Sequence, residues 1–212
     1  MMKRFCQLLA LSVFVIGFPG CGKKTSLSDK KPNDQAEKKW TPDASKLANL
    51  QNESNLSNFG EYTLRPPKGY IFQQLPPIPS QIQLNISGGA WVGSVRSDGT
   101  RAQLMINIIK TPSNQLSKYS PDDRLSKRVN ANAMYYQNWK RTETERGKIG
   151  DISFVRAYWH GIHKKTNHRM HGFCYVANTG REMIYLSSQD VEPHHKNSLS
   201  LAEAAVLTFK KR

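Results

Sequence analysis

Four histidines, His160, His163, His168 and His171, lie within a stretch of twelve residues and are the side chains of this sequence that most suggest chemistry. Imidazole nitrogens are common ligands of Zn²⁺ and Cu²⁺, so four of them close together suggest a metal site. The residues on either side of the group predict two strands, over 152–163 and 169–177, joined by a hairpin loop over 164–167.

Strand geometry decides how many of these histidines can share one ion. In a regular hairpin His163 faces His168, and His160 faces His171, across the two strands. Because side chains alternate between the faces of a sheet, positions 160 and 163 point to opposite sides, which excludes a single four-histidine site. Each remaining pair lacks a third ligand, and the neighbouring cations repel a metal ion: Lys164, Lys165 and Arg169. We therefore expect no bound metal and no other cofactor, with His163 and His168 as weak candidate ligands.

Other reactive side chains give no catalytic pattern. Cys174 lies in an apolar run over 172–176, which predicts a buried core residue rather than a nucleophile. The adjacent His194 and His195, near a predicted turn, are no stronger as metal ligands. The sequence has no G-x-S-x-G, P-loop, G-x-G-x-x-G or H-E-x-x-H motif. We expect no catalytic residue and predict that the protein is not an enzyme.

The two faces of the predicted hairpin differ in character. One face carries small and apolar side chains, which indicates core: Val155, Ala157, Trp159, Gly161, Met170, Gly172, Cys174 and Val176. The other face carries aromatic and cationic side chains among others: Arg156, Tyr158, His160, Ile162, Arg169, His171, Phe173 and Tyr175. The second face could bind an acidic or π-rich ligand, or it could lie under a helix. We expect the helix.

The first 21 residues have the layout of an export signal. Lys3 and Arg4 precede an apolar stretch of 14 residues, 5–18, that contains no acidic residue. This stretch is shorter than the roughly 18–20 apolar residues of a permanent membrane span. The segment Gly17-Phe18-Pro19-Gly20-Cys21 then resembles the lipobox of bacterial lipoproteins, in which a small residue precedes the modified cysteine.

The lipobox resemblance implies that residues 1–20 are removed and that the Cys21 thiol carries a diacylglyceryl group at the new N-terminus. The segment departs from the usual lipobox at Phe18 and Pro19, where leucine and a small residue are usual. An uncleaved signal, or a conventional cut after Gly22, stays open. Several acyl chains would anchor the protein stably in a membrane, because each buried methylene contributes about 0.8 kcal/mol.

The segment 22–58 is polar, and Trp40 is its only aromatic residue. Its apolar residues lack a sustained helical or strand period, which predicts a flexible tether. Its lysines could rest on anionic lipid or be solvated: Lys23, Lys24, Lys30, Lys31, Lys38 and Lys39. We predict a signal peptide over 1–20, a lipidated Cys21 with a tether over 21–58, and a single domain over 59–212.

The elements predicted for 59–212 indicate an α+β domain. Two strands flank a turn at Asp98-Gly99, and a helix starts with Ser120 as N-cap. Three strands follow at 152–163, 169–177 and 182–188, and Ser198 or Ser200 is predicted to cap a last helix. Because the connections between strands are short, we expect an antiparallel β-sheet flanked by helices.

Two segments of this domain resemble the PsbP-like fold. One is Pro67-Lys68-Gly69-Tyr70, which follows the first strand, and the other is the closing helix over 201–211, which follows a three-strand meander. That family includes the extrinsic photosystem subunit PsbP and many bacterial lipoproteins. The resemblance covers about 59–212 and implies the same fold class, but no functional residue transfers with it, because fold does not determine function.

The charge of the chain favours anionic partners. Its 31 lysines and arginines against 16 acidic residues give a formal net charge of +15. The cations stand in scattered doublets rather than in a stripe, and no RNA-binding signature occurs, so we expect no nucleic acid. Anionic lipid, polysaccharide or an acidic protein are partners that suit an exported, lipid-anchored chain.

These observations predict a bacterial lipoprotein in the cell membrane or outer membrane, facing the periplasm or the exterior. Its expected role is that of a non-catalytic binding or scaffolding module, which contacts membrane lipid through the acylated Cys21. The alternative is a small exported enzyme or metal-binding carrier that uses the region His160 to His171.

Overall fold

The computed structural model of the chain describes residues 38–52, 54–55, 61–74, 85–110 and 118–212. All of them belong to one folded unit. The predicted signal peptide over 1–20, the predicted lipidation site Cys21 and the predicted tether residues 22–37 lie outside the described residues. No helix of the described part is long and apolar enough to cross a membrane.

Nine of the twelve described strands, numbered along the chain, form one sheet. Its spatial order is β1 (Lys38–Lys39), β8 (Glu145–Ile149), β9 (Ile152–His163), β10 (Arg169–Asn178), β11 (Glu182–Val191), β6 (Gln103–Lys110), β5 (Asn85–Val92) and β4 (Ile71–Gln74), with β7 (Tyr136–Arg141) also paired to β9. Neighbouring strands are antiparallel except β1 and β8, which are parallel. A second sheet joins β2 (Ser54–Asn55), β3 (Tyr62–Leu64) and β12 (Lys210–Lys211). The predicted α+β class is confirmed.

Strands β9 and β10 form a long hairpin in the register predicted from the sequence. His160 lies opposite His171, and the backbone N–H of His163 donates to the carbonyl oxygen of His168 at 2.9 Å. The chain reverses through Asn167, whose φ of 56° lies in the left-handed region that asparagine tolerates. The predicted division of the hairpin into two faces therefore holds.

Helix α2 (Pro121–Ala133) covers the predicted core face of the hairpin. The Ser120 side chain caps the helix by accepting a hydrogen bond from the Asp122 N–H, as the sequence predicts. Leu125 and Val129 are fully buried. They belong to a cluster with side chains of the two strands: Val155, Ala157, Trp159, Cys174 and Val176.

Helix α3 (His195–Val206) covers the other face, so the aromatic and cationic side chains of the hairpin do lie beside a helix. The helix begins at His195, and the predicted start with Ser198 or Ser200 as N-cap is wrong. The Ser198 hydroxyl instead donates to Asp190 of β11 at 2.5 Å, and Glu203 accepts hydrogen bonds from the sheet. Ser198 and Glu203 thus make tertiary contacts that local sequence rules do not include.

Residues 38–52 fold onto the domain, so the predicted tether boundary at residue 58 is too late. The Trp40 N–H donates to the Lys148 carbonyl oxygen at 2.9 Å, and a short helix α1 (Ala44–Leu47) follows. Trp40 and Leu50 are only 5% and 2% exposed. The sequence pattern missed this contact because isolated apolar side chains without periodicity insert into a core that other elements build.

Candidate functional site

Beside helix α3, Arg156 of β9 binds two carboxylates and a tyrosine. Its guanidinium donates to Glu145 at 2.8 Å, to Glu203 at 3.0 Å and to the Tyr175 hydroxyl oxygen at 2.7 Å. The hydroxyls of Tyr175 and Tyr158 in turn donate to the same Glu203 oxygen. We call these five residues the Arg156 cluster. Burial disfavours the charge of Arg156, but its hydrogen bonds to Tyr175 and Glu145 outweigh burial and raise its pKa.

A cleft of about 360 Å³ borders the Arg156 cluster. Trp40 lies at its side with its ring centroid 4.3 Å from the Arg156 guanidinium carbon, and it packs edge-on against Tyr175 at 5.4 Å. Arg156 and Glu203 both line the cleft, but they are paired with each other. This pairing indicates a structural role, in which the cluster holds the segment around Trp40 against the sheet.

Asp190, near the end of β11, forms a second buried ionic group. Arg96 donates two hydrogen bonds to its carboxylate, at 2.8 and 2.6 Å, and Ser198 and the Val191 N–H donate to it as well. The Asp190 side chain is 1% exposed. Burial alone would raise the pKa of this carboxyl group, but the hydrogen bonds outweigh burial and lower it. The carboxylate is therefore ionised at neutral pH. It links β11 to the loop that carries Arg96 and to helix α3, which carries Ser198.

His163 and His168, the metal candidates from the sequence, lie where β9 passes into β10. The His163 ring packs edge-on against Tyr136 at 5.4 Å, and its Nδ1 is 3.1 Å from the Thr166 hydroxyl oxygen. Burial, together with the charges of Lys165 and His168, lowers the His163 pKa. Among the described residues, no third side chain of ligand type joins this pair.

His160 and His171 share the α3 face, as strand alternation predicts, and the structure adds two residues there. His171 stacks on His195, with ring centroids 3.8 Å apart and planes 12° apart. The Nε2 atom of His171 lies 2.8 Å from a carboxylate oxygen of Glu192, and the His160 ring is 5.6 Å from that of His171. One potential ligand atom from each of His171, Glu192 and His195 lies within 4.8 Å of the others. We call these three residues the His171 cluster.

The His171 cluster was not predicted because the spacing of the histidines gives only the register between β9 and β10. Strand β10 also pairs with β11, and this register places His171 opposite Asp190, two positions before Glu192. The turn residues between these strands carry the signal from which that register could have been predicted. The position of His195 could not be found in this way, because it depends on where α3 packs.

Two cysteines, Cys21 and Cys174, are expected in the mature chain, and the structure describes only Cys174. The Cys174 thiol is buried, and burial raises its pKa to about 11, so its prediction as a core residue is confirmed. A thiol with this pKa is protonated at neutral pH and is a poor nucleophile. Cys21 lies outside the described residues, and its lipidation stays a prediction.

Comparison with known proteins identifies the fold. No model of a known protein family and no curated protein matches the sequence. The solution structure of cyanobacterial PsbP (CyanoP) from Synechocystis sp. PCC 6803 matches with a TM-score of 0.55 at 16% identity, over 78% of this chain and 94% of that one. The Ran-binding protein Mog1p of Saccharomyces cerevisiae gives 0.49 at 12% identity, over 77% and 95%. LpqN of Mycobacterium tuberculosis, involved in cell envelope biogenesis, gives 0.47 at 11% identity, over 81% and 97%.

The likeness to CyanoP confirms the PsbP-like fold predicted from the sequence. At 16% identity it concerns the fold alone, and no site residue or activity follows from it. The likenesses to Mog1p and LpqN are weaker still and carry no functional conclusion.

Proposed function

We propose that this protein is a lipid-anchored, non-catalytic binding module of the cell envelope, held in the cell membrane or outer membrane and facing the periplasm or the exterior. The export-signal layout and the cysteine at position 21 support the anchor. One structural observation supports the absence of catalysis. The ionisable groups that meet in the Arg156 cluster and the Arg96–Asp190 pair are paired with one another by hydrogen bonds. A general acid or base instead needs a group with an adjustable proton facing a substrate.

An exposed apolar and basic surface supports contact with an anionic membrane. Met134 and Tyr135, in the turn between α2 and β7, are 67% and 46% exposed. Lys164 of the β9–β10 loop is held beside them, because its ammonium donates to the Met134 carbonyl oxygen at 2.9 Å and its N–H to the Tyr135 carbonyl oxygen at 3.0 Å. Lys165 is exposed next to it. We call these four residues the Met134 surface.

The chemistry of the Met134 surface fits an anionic lipid headgroup layer. Exposed apolar and aromatic side chains enter the interface, while each nearby lysine contributes up to about 1 kcal/mol of attraction to anionic lipid. A chain tethered to a membrane at Cys21 would meet this layer at high local concentration. Polysaccharide and acidic protein are the alternative partners.

The intact mass of protein extracted from membranes tests the anchor. The wild-type chain is expected to start at Cys21 and to carry diacylglyceryl or triacyl mass. The Cys21→Ala chain should lack lipid mass and retain residues 1–20. An unmodified wild-type chain would overturn the proposed anchoring.

Cosedimentation with vesicles tests the Met134 surface, using a chain that begins at Gly22 and therefore lacks the anchor. Binding to phosphatidylglycerol vesicles is expected at low salt, with release as the salt concentration rises and no binding to phosphatidylcholine. Met134→Ser should weaken binding. Ile71→Ser is the matched control, because Ile71 is 70% exposed on β4, at the far edge of the sheet. Equal binding by both variants, or binding to anionic polysaccharide alone, would overturn the lipid contact.

A further inference from the structure

We propose that the His171 cluster binds one Zn²⁺ ion, with His171, Glu192 and His195 as its protein ligands. Two imidazoles and one carboxylate are a ligand set that Zn²⁺ takes in proteins, with a fourth position left for water or another ligand. The proposal concerns the folded domain alone, so it stands or falls independently of membrane anchoring.

Three backbone segments bring the proposed ligands together. His171 lies in β10, Glu192 directly follows β11, and His195 is the first residue of α3. The Glu192 N–H donates to the Arg169 carbonyl oxygen at 2.9 Å, which holds the end of β11 beside β10. The hydrogen bond from Ser198 to Asp190 holds the first turns of α3 against β11. The backbone positions are thus fixed by the fold, and only side chains must adjust to receive an ion.

Binding an ion requires the three ligand atoms to move closer together and one ring to turn. The three ligand atoms lie within 4.8 Å of one another, whereas two nitrogens bound tetrahedrally at about 2.0–2.1 Å from Zn²⁺ lie about 3.3 Å apart. The rings of His171 and His195 are nearly parallel, so their in-plane lone pairs meet on one ion only after one ring turns about its Cβ–Cγ bond. The side chains of His171 and Glu192 are 26% and 38% exposed, which leaves room for this rotation.

An unpaired nitrogen at His195 favours an ion over a purely structural stack of rings. The Nδ1 atom of His195 is buried and has no hydrogen-bond partner within the described part of the chain. Buried polar atoms are nearly always paired, so this atom calls for an explanation. An ion bound through this nitrogen would supply the partner that it lacks.

Local charge sets the expected strength of binding. Glu192 supplies one negative charge to the site, while Arg169 and Lys196 are near enough to act on Glu192 and His195 electrostatically. These two cations oppose a dication. We therefore expect an ion that exchanges with the solution, rather than one on which folding depends.

Zn²⁺ titration of the purified mature chain, by calorimetry and by visible absorption with Co²⁺ as a substitute, tests the proposal. One ion per chain is expected. His195→Ala should lower the affinity by more than about 100-fold, because losing a residue that merely supports a ligand already costs about 10–100-fold. His163→Ala is the matched control, since it removes an imidazole from the same region of the hairpin without touching the cluster. Wild-type affinity in His195→Ala, or equal loss in His163→Ala, would overturn the proposal.

A measurement on the unsubstituted chain separates metal binding from damage to the fold. In NMR spectra of the imidazole rings, Zn²⁺ should shift the signals of His171 and His195 and leave those of His163 and His168 in place. Glu192→Gln keeps the size of the side chain but removes its charge, and it should weaken binding by at least about tenfold. Saturating Zn²⁺ without a shift at His171 and His195 would overturn the proposed site.

Discussion

Replacing Arg96 by methionine tests how the domain is held together. Arg96→Met keeps much of the apolar length of the side chain but removes both hydrogen bonds to the Asp190 carboxylate, at 2.8 and 2.6 Å. This carboxylate is 1% exposed and would keep the Ser198 hydroxyl and the Val191 N–H as donors. The substitution therefore leaves a buried negative charge without its cation.

The expected loss in the free energy of unfolding at pH 7 is about 3 kcal/mol. Removing one partner of a buried ion pair costs about 3–5 kcal/mol, and the 23% exposure of Arg96 favours the lower end because water screens part of the pair. Protonation of Asp190 limits the penalty that the unpaired charge imposes on the variant, and this penalty adds to the lost stabilisation of the wild-type pair. At pH 7 protonation costs about 1.36 kcal/mol for each of roughly 3.2 pH units above the ordinary pKa of 3.8, or about 4 kcal/mol in all.

Urea unfolding at pH 7 measures this loss through the shift of the transition midpoint. The melting temperature should fall by about 6–12 °C, at about 2–4 °C per kcal/mol for a domain of this size. Arg146→Met is the matched control. Its guanidinium is also 2.6 Å from a carboxylate oxygen, that of Asp122, but the Arg146 side chain is 63% exposed, so we expect a loss below about 1 kcal/mol.

The loss caused by Arg96→Met should shrink in acid. In the wild type the pKa of Asp190 is lowered, so its contribution to stability is complete above the ordinary pKa and is lost as the pH falls through the lowered folded-state pKa. In the variant the buried carboxyl group lacks its cation and takes up a proton at higher pH, which removes the unfavourable charge. Equal losses for Arg96→Met and Arg146→Met, or a loss that is the same at pH 7 and about pH 4, would refute the reasoning.

Three further predictions concern packing and accessibility. Gly172→Ala would place a Cβ atom 2.5 Å from the Trp159 ring, so we expect the free energy of unfolding, measured with urea, to fall by about 1–3 kcal/mol. An unchanged urea midpoint would contradict this packing. Gly147→Ala would place a Cβ atom 2.5 Å from the Trp40 ring, so limited proteolysis should cut near residue 40 faster than in the wild type. Equal cleavage rates would count against the packing of residues 38–52 on the domain. Cys174 is buried and its pKa is raised to about 11, so iodoacetamide at about pH 8 should label it only after the chain unfolds. Full labelling of Cys174 in the native chain would instead show that the thiol is accessible.

Local rules of sequence determined the fold class and the hairpin that carries the four histidines. The alternation of side chains along β9 and β10 depends only on strand geometry, so the pairing of His160 with His171 followed from the position of one turn. The same rule separated these two residues from His163. The N-cap at Ser120 was predictable for a similar reason, because its hydrogen-bond partner lies two residues away.

Only the tertiary structure decided which other side chains lie beside His171. Glu192 lies 21 residues after His171, and His195 reaches it through the packing of α3 on the sheet. The insertion of Trp40 beside Arg156 is of the same kind, because a single aromatic side chain leaves no periodic pattern in a polar segment. Periodicity reports which face of an element is buried. It does not report which distant side chain covers that face, because that is set by the packing of whole elements and not by the spacing of neighbours along the chain.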